Sequence, residues 1–503
     1  MKNGTAIKAL KIKEMADYMT YIMELRDEIK QLVEQKKDVF FAVSDEIWGY
    51  AETRFEEFQS AACIEAVLEK EGFTVKKDLA DMKTAFIGEY GQGKPVIGIL
   101  GEYDALYGLS QQAGVAKPEP VTEGGKGHGC GHNILGASAL AAAVAVKDYL
   151  KAHDIPGPVR AYGCPGEESG SGKAYMARAG LFRDVDVALT CHPSYENSIT
   201  GYNFLATLQV CFKFHGKSAH AGACPHLGRS ALDAVELMNV GANFLREHVI
   251  QEARIHYAIT NSGGSSPNVV QSEAAVLYQI RTPQLPQAND IYKRVVKIAQ
   301  GAALMTETQL EVVFDRGSSN IIPNRHLETL AHDCMMAYGP EPITEEDLAF
   351  AQEIEDSLVG SDRTYSQDML DMIYGPVKGR ELGKLIAGKL IMDTVYPYTP
   401  TETPIAASTD VGDVSWNVPV VQVLTNCYAN NTPNHSWQQV AQGKSPLAHK
   451  GLLLAGKTMA LAAVRLMKEP ELVRGIRDEF KERMQGKEYV CPIPPEVKPA
   501  PHR

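Results

Sequence analysis

Gly127-His128-Gly129-Cys130-Gly131-His132-Asn133 decides the reading, and two later stretches answer it: Gly166-Glu167-Glu168-Ser169 and Cys191-His192-Pro193. Each sits just past a short apolar run that reads as a buried strand. Thiolate, imidazole and carboxylate brought to one edge of a sheet are what a divalent metal needs. A spare carboxylate beside such a metal allows hydroxide to form from water near neutral pH. The combination points to a metal-dependent hydrolase.

Outward from these stretches, the apolar pattern alternates between strand and helix. Residues 96–100, 159–164 and 185–190 read as buried strands, and the run after Asn133 reads as an Ala-rich buried helix. Upstream, 7–41 and 56–72 carry helical spacing. Strands alternating with helices predict a mainly parallel sheet covered on both faces, whose ligands gather at the carboxyl ends of the strands. The texture changes near residue 205. A half-exposed strand (205–214), a long helix (230–248), one or two strands within 269–280, a helix (290–300) and a strand (310–314) suggest a smaller α+β unit. Helical pattern then resumes, with a buried strand at 418–424 and a closing helix at 452–467. The expected fold is α/β: a catalytic domain from 1–205 and 323–503, with an α+β domain (206–322) inserted into it. Residues 340–400 read as surface helices and loops. Beyond Cys491 a run of prolines precludes helix.

Composition limits the partners. A chain of 503 residues is too long for one ordinary core. A net charge of −12 with no basic block argues against nucleic acid and anionic membrane. No apolar run reaches the length of a membrane span; the longest, 137–146, is too short. The first five residues lack the layout of a signal peptide. Nine cysteines without framework spacing are expected to be reduced thiols in a cytoplasm.

Each motif also has an ordinary explanation. Cys130 and His132 could be a buried thiol and a satisfied imidazole in a glycine-rich loop, and His128 competes with His132 for any ligand role. Glu167-Glu168 could be a solvated acidic loop. Neighbouring carboxylates repel unless a cation or shared proton lies between them. In extended chain they also point opposite ways, so one can ligate while the other faces substrate as a base. Gly170-Ser171-Gly172-Lys173 is no phosphate loop, because Glu167 and Ala174 occupy positions where that pattern needs Gly and Ser or Thr. The case is joint: Cys130, His132, Glu168, His192 and His435 all fall at expected strand ends or in the loops beyond them.

In this order, these residues resemble the metallopeptidase and amidohydrolase family that includes aminoacylases, carboxypeptidases acting on glutamate amides, and auxin-conjugate hydrolases. Gly49-Tyr50-Ala51-Glu52 and Phe55-Glu56-Glu57-Phe58 look like its amino-terminal signature. Ser408-Thr409-Asp410-Val411-Gly412-Asp413-Val414-Ser415-Trp416 and Asn434-His435-Ser436-Trp437-Gln438 extend the likeness to the carboxyl-terminal part. The resemblance implies two divalent metals, zinc or manganese, held by Cys130, His132, Glu168, His192 and His435, with Glu167 as general base. It implies that the inserted domain is a lid that mediates dimerisation, with the same chain or a homologous subunit. His220, in a loop bracketed by Gly216 and Gly222, would steady the oxyanion in the partner's site. Asn268 and Arg281 would hold the substrate carboxylate. Departures stand at Asn133, where relatives often have Asp, and at Asn434, where many have a second His. The expected activity is cleavage of an N-acyl or N-aroyl amino acid, with p-aminobenzoyl-glutamate as best single substrate. A dipeptidase or general N-acyl-amino-acid hydrolase is the alternative within the class, and a non-catalytic metal-binding subunit the alternative outside it.

Overall fold

The computed structural model describes residues 2–501, with side chains from residue 16 onward. Met1, where the amino-terminal reading begins, lies outside the described residues. In chain order the strands are β1 (Thr74–Lys76), β2 (Phe86–Tyr90), β3 (Ile97–Glu102), β4 (Val159–Cys164), β5 (Val187–Ser194), β6 (Ser198–Ile199), β7 (Asn203–Phe204), β8 (Ala206–His215), β9 (Arg254–Asn261), β10 (Glu273–Thr282), β11 (Gln309–Ser318), β12 (Pro404–Ile405) and β13 (Val420–Asn426).

The main sheet has the order β1-β2-β4-β3-β5-β13-β6. Its centre, β4-β3-β5-β13, is parallel, and β1, β2 and β6 add antiparallel edges. All residues of β3 and β13 are buried, as expected for strands covered on both faces. The helices His132–His153 and Pro446–Lys468 pack on each other against this sheet. Small side chains let them approach closely: a Cβ at Gly456 would lie 3.0 Å from that of Ala141. Both helices are long and apolar enough to cross a membrane by composition, unlike the shorter run seen in the sequence. Yet 94% and 89% of their apolar windows are buried inside the fold, so they are core helices.

The second sheet, β11-β8-β10-β9, is antiparallel throughout. Leu208, Val210, Phe212 and Phe214 of β8 belong to the core beneath the helices Ala231–Leu245 and Leu285–Thr306. The opposite face carries Thr207 and Gln209. The chain returns from β11 under firm control. Asp413 accepts from Ser319 N–H and Oγ–H, the Ser415 hydroxyl accepts from Ile322 N–H, and the Trp416 indole donates to the Asn320 carbonyl. A buried ion pair, Arg54–Asp315 at 3.0 Å, also joins the second sheet to the amino-terminal part of the chain.

Several sequence expectations are corrected. The segment 7–41 is not one helix: Lys2–Glu34 ends and Lys37–Tyr50 begins anew after a turn at Gln35 and Lys36. Strands β1, β2 and β9 lie outside the expected ones, and the run expected as one or two strands within 269–280 is the single strand β10, which starts at Glu273 and ends at Thr282. Residues 340–400 are more than surface. The helices Glu345–Ser357 and Tyr365–Gly383 flank a short 3-10 turn, and Leu370, Leu382, Ile386, Met392 and Tyr396 bury themselves with Tyr195. The proline-rich tail has no helix among its described residues. Ile493 and Val497 join the core, while Arg178 donates to the carbonyls of Pro494 and Val497.

Because Leu461 is wholly buried in the main core, Leu461→Ala should destabilise the fold by about 2–5 kcal/mol. The measurement is the urea midpoint; a loss below about 1 kcal/mol would mean that the helical core re-packs around the gap.

Candidate active site

The carboxyl ends of the parallel strands bring the candidate residues together. β3 ends in Glu102, and Asp104 follows. β4 leads through Gly166, in the left-handed region at φ 66°, to Glu167 and Glu168. His192 lies in β5 itself. His435 follows β13, also with a positive φ of 57°, and its N–H donates to the Gly129 carbonyl at 3.0 Å. Cys130 stands just before the helix that starts at His132. Gly131 between them has φ 79°, and a Cβ there would meet the Tyr428 hydroxyl at 2.0 Å. Only glycine fits that turn.

The donor atoms converge. Cys130 Sγ lies 3.3 Å from His192 Nε2, and Glu168 Oε1 lies 3.9 Å from His132 Nε2 and 3.6 Å from His435 Nε2. Cys130, His132 and His192 form one group whose donor atoms are all within 4.8 Å of one another. Cys130, Glu168 and His435 form a second, and Glu102, His132 and Glu167 a third. The ring nitrogens are oriented from behind. His192 Nδ1 faces the Pro193 carbonyl at 2.8 Å, leaving Nε2 toward Cys130. Asp104 meets His132 Nδ1 with one oxygen and accepts Glu168 N–H with the other, both at 2.9 Å. A carboxylate behind a ligating imidazole fixes its tautomer and raises its basicity.

The electrostatics call for cations. Burial, then the Glu102 charge, raises Glu167 above the usual carboxylate range. Burial also pushes Glu168 up to about 8, with Glu167 and Asp104 adding to it against His132. Burial and Glu168 raise the Cys130 thiol. His132 is raised too: burial opposes its charge, but Cys130 and Asp104 outweigh burial. His192 is pushed down to about 4 by burial and by His132. Lys173 is a fixed cation within this group, buried 2.6 Å from both Glu102 and Asp410. His132 Nε2 and Glu168 Oε1 are buried without a hydrogen-bond partner. An unpartnered imidazole nitrogen, an unpartnered carboxylate oxygen, a thiol and surplus carboxylates are a ligand set that fits divalent ions.

Among the candidates, Cys130, His132, Glu167, Glu168, His192 and His435 come together. His128 does not join them: it is buried with Nε2 at 3.0 Å from the Ile47 carbonyl, and burial lowers it to about 4. Asn133 turns away to Ser44 and the Gly443 carbonyl. His220 and Asn268 lie on exposed neighbouring loops of the second unit, joined by Ala221 N–H to the Asn268 carbonyl at 2.9 Å and outside every donor group. The His220 Nδ1 accepts from Gly222 and Ala223 N–H, which leaves Nε2 as the outward donor. Arg281 reaches the Ala406 carbonyl and Ser408 Oγ, and its charge interacts with Glu167.

Glu102, Asp104, Lys173 and Asp410 also belong to the site, beyond the residues expected from the sequence. The signal was present, since two acids ending a wholly apolar strand repeat the pattern that singled out Glu167-Glu168. Glu57, in the amino-terminal signature, also serves it by accepting the Gly166 and Phe55 N–H groups at 2.9 Å. Tyr365, from the 340–400 segment, lies close enough for the Cys130 charge to raise its hydroxyl, after burial. If Asp104 orients His132, then Asp104→Asn should weaken divalent-metal binding by roughly 10- to 100-fold while the fold persists. Titration with a chromophoric chelator reads this, and unchanged affinity would refute the orienting role.

Comparison with known proteins identifies the family. The model of the peptidase family M20/M25/M40 matches residues 98–436. The B subunit of the p-aminobenzoyl-glutamate hydrolase of Escherichia coli K12 is 50% identical over 94% of this chain and 98% of its own length. The human Xaa-Arg dipeptidase is 26% identical over 92% of this chain and 93% of its own. Two solved structures share the fold. An aminobenzoyl-glutamate utilization protein from Klebsiella pneumoniae has TM-score 0.52 and 16% identity, covering 84% of this chain and 98% of that one. A dinuclear metal-binding M20 peptidase from Bacillus subtilis has TM-score 0.51 and 16% identity, covering 86% and 99%. On the family match and the half-identical relative, this chain belongs to peptidase family M20/M25/M40 and is an enzyme of its amidohydrolase and metallopeptidase kind.

Proposed function

We propose that this enzyme hydrolyses the amide joining an acyl or aroyl group to an amino acid, and that p-aminobenzoyl-glutamate is the substrate it fits best. One observation carries the reading: Glu167 stands among converging donors that need cations, next in the chain to Glu168. The half-identical relative, named for hydrolysis of p-aminobenzoyl-glutamate, supports the choice of substrate. Cys130, His132, Glu168, His192 and His435 would hold two divalent ions. The thiolate favours zinc on softness, while manganese suits the imidazole and carboxylate ligands.

Bound there, such ions supply Lewis acidity that acidifies water and polarises a carbonyl. The chain's own residues do the rest. Glu167 takes a proton from the attacking water as the new C–O bond forms, and returns it to the nitrogen as the C–N bond breaks. Asp104 keeps His132 in one tautomer. Arg281, a planar two-pronged donor, receives the carboxylate of the amino acid. His220, with Nε2–H outward, donates to the oxyanion of a partner chain's site.

The partner is a second copy or a homologous subunit, and residues 206–322 form the lid that contacts it. Leu237, Val240 and Phe244 present apolar surface on the helix Ala231–Leu245, and the edge strand β9 exposes Tyr257 and Ile259. Relatives are named as the A and B subunits of p-aminobenzoyl-glutamate hydrolase. The nine free cysteines suit a cytoplasm. A dipeptidase is the second reading, supported by likeness to the human Xaa-Arg dipeptidase.

Purified enzyme should release glutamate from p-aminobenzoyl-glutamate, lose this activity to chelator and regain it with zinc or manganese. Glu167→Gln should cut turnover by about 10²- to 10⁴-fold yet keep its metal. Turnover equal to the parent enzyme's would remove Glu167 from the mechanism. Phe244, 73% exposed, tests the interface: Phe244→Asp should shift sedimentation toward monomer and lower activity together, and an unaltered oligomer would locate the contact elsewhere.

A further inference from the structure

The open face of the second sheet carries Arg281 and Arg316, neither ion-paired to an acid, with Arg254 of β9 directly opposite Arg281. In register across the sheet, Arg316 of β11 lies opposite Gln209 of β8, which lies opposite Gln279 of β10. One row on, Thr207 lies opposite Arg281. Directly opposed residues in an antiparallel sheet share a face, so Arg316, Gln209, Gln279, Thr207 and Arg281 form one polar patch. The Gln279 amide meets Arg281 Nη2, Arg316 Nη2 and Thr207 Oγ1, each at 3.3 Å, which assigns its oxygen to them. Arg316 Nε reaches Gln209 Oε1 at 3.4 Å. Asp315, next in the chain, is turned to Arg54 and Gln209 instead.

Among the described residues, neither Arg281 nor Arg316 has an acidic partner at ion-pair distance. The Arg281 Nε is buried without any hydrogen-bond acceptor. Two guanidinium groups that share one amide oxygen repel each other, and the arrangement gains most from an anion with two separate carboxylates. Arg281 links the patch to the reaction centre: it touches the 406–408 loop that leads to Asp410, and its charge interacts with that of Glu167.

We infer that Arg281 and Arg316 form a paired carboxylate clamp, with Arg281 taking the α-carboxylate of the departing amino acid and Arg316 a second carboxylate on its side chain. The substrate class is then the N-acyl or N-aroyl conjugates of dicarboxylic amino acids, glutamate or aspartate. A carboxyl-terminal arginine, which brings a further guanidinium, is repelled by the same pair. This assignment rests on the amide hydrolysis proposed above and adds which residue reads the side chain.

The test compares kcat/KM for p-aminobenzoyl-glutamate and p-aminobenzoyl-glutamine, which differ by one charge at nearly equal size. Metal-loaded parent enzyme should prefer glutamate. Arg316→Gln should lower the glutamate value by roughly 10- to 100-fold, mainly through KM, and the glutamine value far less. Arg281→Gln should lower both. Equal losses on the two substrates from Arg316→Gln, or no preference in the parent enzyme, overturn the clamp while leaving the amidohydrolase reading intact. If the parent enzyme cleaves neither conjugate, the hydrolysis reading fails by itself. Calorimetric titration with glutarate against butyrate then still reads the clamp: Arg316→Gln should abolish a preference for the dicarboxylate, and absence of that preference in the parent enzyme overturns it.

Discussion

Acid groups crowded at the end of one sheet are the constraint on which the site depends. Glu102, Asp104, Glu167, Glu168 and Cys130 approach one another in a largely buried cluster, and Lys173, shared between Glu102 and Asp410, balances only part of their charge. Buried like charges are costly unless cations or protons intervene. The fold accepts this cost because a parallel sheet delivers successive loops to the same edge. The acids also hold their neighbours in place. Asp104 orients His132 and Glu168, and Asp410 holds Lys173 while its loop supports Arg281. Stability and chemistry are coupled, since removing one charge changes the environment of the others.

Much of this was legible in the sequence because metal-seeking residues and turn-forming glycines are chemically uncommon at strand ends. Cys130, His132, Glu168, His192 and His435 were marked by residue type and position, and the glycines around Cys130 gave the reason they could converge. Glu102 and Asp104 went unassigned because their partners come from distant chain: nothing local tells that an acid after β3 will stand behind a histidine at residue 132. The choice between His128 and His132 was likewise closed to local reading. It depends on the carbonyl of Ile47, far away in the chain.

The fold shows the same division. Fully buried strands such as β3 and β13 announce themselves as continuous apolar runs. The edge strand β9 does not, since nearly all its residues are exposed and no burial alternation marks it. β1 is three residues long and leaves almost no pattern. The 340–400 segment hides its role differently. Its buried side chains are spaced irregularly around a kink at Gly375, and their partner Tyr195 lies far away in sequence.

The Arg54–Asp315 pair has a mechanical consequence. Both side chains are almost wholly buried, and breaking such a pair by removing one partner costs about 3–5 kcal/mol. It clasps the second sheet near the point where β8 leaves the main body, because Asp315 lies beside Gln209. His215 ends β8 some six residues further on, about 20 Å away at strand rise, and the His220 loop follows it. The clasp therefore pins the sheet at the end that carries the arginine patch and leaves the His220 loop at the opposite end, beyond its reach.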